Sequence, residues 1–246
     1  MTASPDDVLH DLVAEYDRLE VILAGLTPAQ WSASSGADGW TVRDVVTHLA
    51  QTEEGVPLTL AVPVGEWTTR DEPLDEAVDA RVRADETPAA EVFERWRAAR
   101  RASVAALERA DPTVTLRWAA APLKPRTLAT TRLAEHWAHA LDICDPLGIP
   151  LEDTDRLRHV AWLGHATLPY AMGLAGLDPI EVCCTLDAPS GSMWTFGPAT
   201  ASAWIRGSAG AFCRVGARRL AAADSGLAVS GPDAAEALQV LRNYAA

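Results

Sequence analysis

The sequence predicts an α+β protein in which a bundle of long helices, residues 1–177, precedes a small sheet-and-helix domain, residues 178–246. Two observations carry this. Through Leu174 the apolar residues recur at helical spacing in long segments. After Asp178-Pro179 the chain changes to short runs of β-branched and aromatic residues separated by turn signals. A length of 246 residues, 48% hydrophobic, is enough to bury the cores of both.

The first helix is expected from about Pro5 to Leu26, with Val8, Leu12, Leu19, Ile22 and Leu23 on one stripe. Ser4, Pro5 and two aspartates supply its start signal. Thr27-Pro28 opens a turn and a Gly- and Ser-containing loop reaches Gly39. A second helix follows from Thr41 to about Thr59, with Val42, Val45, Val46, His48 and Leu49 inward. The acidic stretch from Val64 to Thr87 holds one short helix around Glu76 to Arg83. Pro88 then opens a third long helix to about Arg109, with Val92, Phe93, Trp96, Ala99, Val104 and Leu107 inward. Two further helices run from about Leu128 to Leu147, stopped by Gly148 and Pro150, and from about Thr154 to Leu174. Beyond them, I-E-V-C-C-T-L, the turn Ala188 to Gly191 and S-M-W-T-F form a hairpin. A strand at Ser202 to Ile205, a helix at Ala209 to Arg218, a strand L-A-V-S and a closing helix from Pro232 to about Tyr244 complete the domain.

The formal net charge of −13 leaves no cluster of Lys and Arg for phosphate contacts or anionic lipid. We therefore expect neither nucleic acid nor membrane as partner. The start, M-T-A-S-P-D-D, lacks the basic region of a secretory signal, and no apolar run approaches the roughly 20 residues of a membrane span. Cys144, Cys183, Cys184 and Cys213 make neither a disulfide framework nor a C-x-x-C site and read as reduced thiols, most of them buried. A cytoplasmic protein, monomer or homodimer, is expected.

Chemistry concentrates in R-L-A-E-H-W-A-H-A-L-D-I-C, Arg132 to Cys144. Glu135 and His139, four residues apart on a helix, point the same way with β-carbons about 6 Å apart. A carboxylate and an imidazole so placed can close on one divalent ion, and His48 is the candidate third ligand. Three protein ligands leave a position open for water or substrate. A His136/His139 pair is the competing choice, and spacing leaves it open.

W-T-V-R-D-V-V-T-H-L-A (Trp40 to Ala50) and T-T-R-L-A-E-H-W-A-H-A-L-D-I-C-D-P-L-G (Thr130 to Gly148) resemble the mycothiol-dependent maleylpyruvate isomerase family, within the DinB-like superfamily. The match falls on Trp40, Asp44, His48, Glu135, Trp137, His139 and Asp142, and continues through R-L-R-H-V-A-W-L-G, M-W-T-F-G-P and A-F-C…A-R-R. The resemblance implies a DinB-like four-helix bundle followed by a sterol-carrier-like domain. It implies ligands His48, Glu135 and His139, usually on zinc, which leaves His136 beside the site as a catalytic or substrate-facing group. Asp142 would accept the second N–H of His139. Trp40 and Trp137 read as core. The resemblance also implies one arginine from each domain near the metal, with Arg81 or Arg83 and Arg218 or Arg219 as candidates; Arg83 and Arg219 are expected as catalytic groups, and Arg218 and Arg219 for the cofactor.

Expected chemistry is a metal-activated low-molecular-weight thiol, mycothiol or similar, attacking an electrophilic small molecule as an S-transferase or isomerase. A metal-dependent hydrolase with His136 as base, and a non-catalytic small-molecule-binding protein, are the rivals. The stretch Val56 to Glu86, expected at the site mouth, matches the family motifs poorly, and Arg117 to Arg126 contributes another loop near the ligand helix, so maleylpyruvate is not assigned as substrate.

Overall fold

The computed structural model describes residues 7–61, 74–116, 118 and 122–244. It has the α+β architecture and groups into two compact units, Met1–Leu151 and Glu152–Ala245. The first unit contains α1 (Val8–Ala24), α2 (Pro28–Trp31), α3 (Val42–Ala61), α4 (Leu74–Arg83), α5 (Ala89–Arg109) and α6 (Pro125–Leu147). The four long helices close a ring: α3 packs on α5 and α6, and α1 packs on the same two.

The helix starts follow capping chemistry. Asp7 accepts from the His10 amide at 3.1 Å to begin α1. At α3, Thr41 Oγ1 accepts from the Asp44 amide at 3.3 Å while Asp44 Oδ2 accepts from the Thr41 amide at 3.0 Å. This reciprocal cap fixes the first turn of α3, and His48 stands one turn later. Gly148, at φ 64°, ends α6 in the left-handed conformation that a β-carbon disfavours.

The inward stripes differ from expectation in two places. On α1, Glu15 and Tyr16 are buried and Ile22 is only half-buried. On α5, Ser103 is fully buried in place of Val104, because 96, 99, 103 and 107 form the continuous helical row.

The second unit comprises α7 (Leu157–Leu174), β1 (Val182–Asp187), β2 (Met193–Phe196), β3 (Ala203–Ser208), α8 (Ala209–Gly216), β4 (Ala228–Ser230) and α9 (Ala234–Val240). Strand order is β2-β1-β3-β4. β1 and β2 form the expected antiparallel hairpin, with Asp187 opposite Met193. β3 joins β1 in parallel, Val182 opposite Ala203, and β4 pairs β3 antiparallel. The helix α7, placed with the bundle by its position before Leu177, packs here on α8, α9 and β2. Gly164 permits this: a β-carbon there would lie 3.2 Å from the Phe212 ring of α8. α9 is shorter than expected, ending at Val240. Among the described residues no helix is long and apolar enough to cross a membrane.

Candidate metal centre

α3 and α6 bring His48, Glu135 and His139 together, with one ligand atom from each lying within 4.8 Å of the others. His48 Nε2 stands 3.4 Å and His139 Nε2 3.5 Å from the same carboxylate oxygen, Glu135 Oε2. Both distances are long for hydrogen bonds between these groups. They match the edge of a tetrahedron with bonds of about 2.0–2.1 Å, an edge of about 3.3–3.4 Å. Two imidazoles and one carboxylate are also a donor set that suits zinc.

The protonation pattern agrees with that use. His139 Nδ1 lies 2.8 Å from Asp142 Oδ2; a carboxylate only accepts, so Nδ1 carries a proton and Nε2 is the nitrogen left to face an ion, which would displace any proton held there. Burial works against a charge on His139, but Asp142 and Glu135 outweigh it and raise its pKa. Burial lowers that of His48. Burial also opposes ionisation of Glu135, yet the two histidines hold its carboxyl well below the usual range. The histidine side chains are 11% and 12% exposed and that of Glu135 is 30% exposed, so the triad opens to solvent on the carboxylate side.

Two features around the triad escape sequence reading. Trp40 is half-buried rather than core. Its ring lies 5.3 Å from His48 and, nearly parallel, 6.4 Å from His139. Its Nε1 donates to Asp79 Oδ1 of α4 at 2.8 Å. Gly36 donates its amide to the Asp142 carbonyl at 2.7 Å. A β-carbon at Gly36 would come within 3.1 Å of the Asp142 Cα, so the loop meets α6 directly behind the His139 partner. A glycine in a Gly- and Ser-containing loop is the only sequence signal for that contact.

The other predicted residues are more dispersed. Arg83 donates from Nε to Asp79 Oδ2 at 2.7 Å and is 55% exposed, which links it through Asp79 to Trp40. His136 faces the bundle interior: one residue along α6 from Glu135 turns it by about 100°. Its Nε2 accepts from Trp96 Nε1 at 3.1 Å, and its Nδ1 donates to the Arg132 carbonyl at 2.9 Å. Burial pushes its pKa down to about 4. The structure therefore does not bring His136 to the ligand triad. Trp137 is core, as expected. Arg218 and Arg219 belong to the second unit, where Arg218 Nη1 donates to the Gln239 carbonyl at 3.0 Å and Arg219 Nη1 to that of Ala217 at 2.5 Å. Residues 62–73 of the poorly matching stretch, and 117 and 119–121 of the loop before α6, lie outside the described residues.

The four cysteines are buried free thiols. Burial raises Cys144 to about 11 and Cys184 to about 12, so neither offers thiolate near neutral pH.

Comparison with known proteins supplies independent findings. The profile of the mycothiol maleylpyruvate isomerase N-terminal domain matches residues 12–144, which include all three triad residues. Two uncharacterized Mycobacterium tuberculosis proteins, from strains CDC 1551 / Oshkosh and ATCC 25618 / H37Rv, are each 31% identical over 250 residues, 99% of this chain and 97% of their own length. The crystal structure of the mycothiol-dependent maleylpyruvate isomerase superposes with a TM-score of 0.64, and that of a histidine-to-alanine mutant with 0.63. Each is 16% identical, covering 92% of this chain and 93% of its own, a likeness that shows the fold.

Proposed function

This chain belongs to the mycothiol maleylpyruvate isomerase family, and from that premise we propose that it is a metal-dependent thiol enzyme. Its reaction would join a low-molecular-weight thiol, mycothiol or similar, to an electrophilic small molecule, as transferase or isomerase. The observation that carries this reading is the convergence of His48 Nε2 and His139 Nε2 on Glu135 Oε2, at 3.4 and 3.5 Å, with Asp142 behind His139.

His48, Glu135 and His139 would hold the ion. When bound it supplies a localised positive charge that favours thiolate over thiol at neutral pH. Asp142 keeps the proton of His139 on Nδ1, so that Nε2 stays available. Trp40, fixed by Asp79, covers the imidazoles and limits water access on that side. Arg83, bonded to the same Asp79 that holds Trp40, is the proposed partner for an anionic group of substrate or thiol. The burial of the chain's own cysteines favours an external thiol as the reacting sulfur. The hydrolase reading needs a base near the triad; with both nitrogens of His136 engaged in the interior, it loses the group nominated for that part.

The test is metal analysis of protein purified without added metal, comparing wild type with His48→Ala and His139→Ala. About one equivalent of zinc or a similar ion, lost in both variants, is expected. Thiol-dependent turnover of an electrophile should vanish in the same variants. A wild type that neither contains nor takes up metal would overturn the proposal.

A further inference from the structure

Beside the triad, the bundle buries an ion pair that the chemistry above does not use. Arg132 and Glu53 are 2% and 0% exposed, and Arg132 Nε donates to Glu53 Oε1 at 2.7 Å. Arg132 stands three residues before Glu135 on α6, and Glu53 five residues after His48 on α3. The pair therefore joins the two helices that carry the ligands, one turn away from them.

The connection reaches the ligand turns themselves. Arg132 Nη2 donates to Thr52 Oγ1 at 2.8 Å. That hydroxyl donates to the His48 carbonyl at 3.0 Å, shared with the Leu49 carbonyl at 3.0 Å. On the opposite side, the Arg132 carbonyl accepts from His136, which in turn accepts from Trp96 of α5. Tyr16 of α1 packs edge-on against His136 at 4.5 Å. Directional bonds thus run from α5 through the Glu135-bearing turn of α6 to the backbone of His48.

We propose that Glu53 and Arg132, acting with Thr52, are positioning residues that lock the His48 turn of α3 against the Glu135 turn of α6, so that the three ligand atoms converge before an ion arrives. The inference rests on the metal-centre reading above.

Stability alone gives little reason for the pair. Desolvating two charges consumes most of their mutual attraction, and apolar replacement of both partners is often neutral or stabilising. Apolar side chains, however, tolerate sliding along a helix interface. Hydrogen bonds at 2.7–3.0 Å fix both distance and direction. A site assembled from two helices needs that register, within about 0.5 Å.

The decisive variant is the double replacement Glu53→Met with Arg132→Met, which removes both charges together. Zinc affinity is measured by competition with a chromophoric chelator, and the thermal midpoint of the metal-free protein is measured alongside. The expected result is a midpoint at or above that of wild type with zinc affinity lowered about 10–100-fold. Affinity within about twofold of wild type in the folded double variant would overturn the proposal. Should that variant fail to fold, Thr52→Val decides: it keeps the ion pair and the side-chain shape but cuts the link to the His48 carbonyl. A several-fold loss of zinc affinity supports the clamp, and an unchanged affinity overturns it. A wild-type protein that binds no zinc fails a different test, since it removes the metal-centre reading on which the clamp depends.

Discussion

Replacing Asp142 by asparagine removes a full negative charge from His139 Nδ1 while leaving an oxygen in position to accept. The carboxylate is 2% exposed and 2.8 Å from that nitrogen, so solvent cannot stand in for it. A hydrogen bond to a charged acceptor contributes about 1.5–3 kcal/mol, against about 1 kcal/mol for a neutral one. The difference falls on the ion-bound form, where the imidazole gives up electron density through Nε2 and the Nδ1 proton becomes more acidic. A loss of about 1.4 kcal/mol, tenfold in zinc affinity, follows for Asp142→Asn. Asp142→Ala, which deletes the acceptor, should approach 100-fold, or about 2.7 kcal/mol. The assay is chelator competition at pH 7.5 on protein whose metal-free melting curve has been matched to wild type. If both variants bind zinc within twofold of wild type while His139→Ala abolishes binding, Asp142 does not orient His139 for an ion.

Three other outcomes follow from the described contacts. Asp85 accepts from Arg95 at 2.6 Å and from the Thr87 amide at 3.1 Å; burial opposes its charge, but these bonds prevail and depress its pKa. Its contribution is therefore full above the unfolded value of 3.8 and is lost as pH falls through the lower folded value. Asp85→Asn should cost about 2 kcal/mol at pH 7 and flatten the acid limb of stability against pH; an acid limb as steep as wild type would contradict it. Trp96→Phe keeps a ring against Phe93 but leaves His136 Nε2 buried without its donor. A loss of about 1–3 kcal/mol in urea unfolding is expected, and no measurable change would show that His136 finds another partner. Finally, the buried cysteines should resist a disulfide reagent at pH 8 until the protein is unfolded, and prompt labelling of the folded protein would contradict their placement.

Much of the bundle was legible because its stripes are regular: Val42, Val45, Val46 and Leu49 are all buried where helical spacing puts them. The triad was half legible. Glu135 and His139 share a face by spacing alone, but only resemblance selected Glu135 over His136 as the partner of His139, and His48, 87 residues from Glu135, was nominated by its inward position without any sign that the two helices meet there. The orientation of His136 was open because helical position sets a direction, whereas what lies in that direction depends on Trp96 and Tyr16 from other helices. The same limit hid Glu53, Ser103 and Arg132. Polar residues in an apolar stripe look like interruptions until their partners are known. Asp79 and Gly36 act through single long-range contacts with no local pattern. The packing of α7 with the sheet unit was hidden for a related reason, since periodicity defines a helix without saying what it packs against.

The separation of 87 residues between His48 and Glu135 bears on how the centre can arise. Glu135 and His139 are a local pair that a single turn of helix assembles, but two donors hold an ion weakly. The third requires closing a long chain loop, whose entropy must be met by helix docking before any coordination bond can repay it. An ion would therefore not nucleate this fold. At the proposed centre it would arrive last and act as a reversible cross-link, adding about 4 kcal/mol when present at a thousand times its dissociation constant. Chain collapse and metal capture should consequently separate in time, with capture slow whenever α3 has not yet docked on α6.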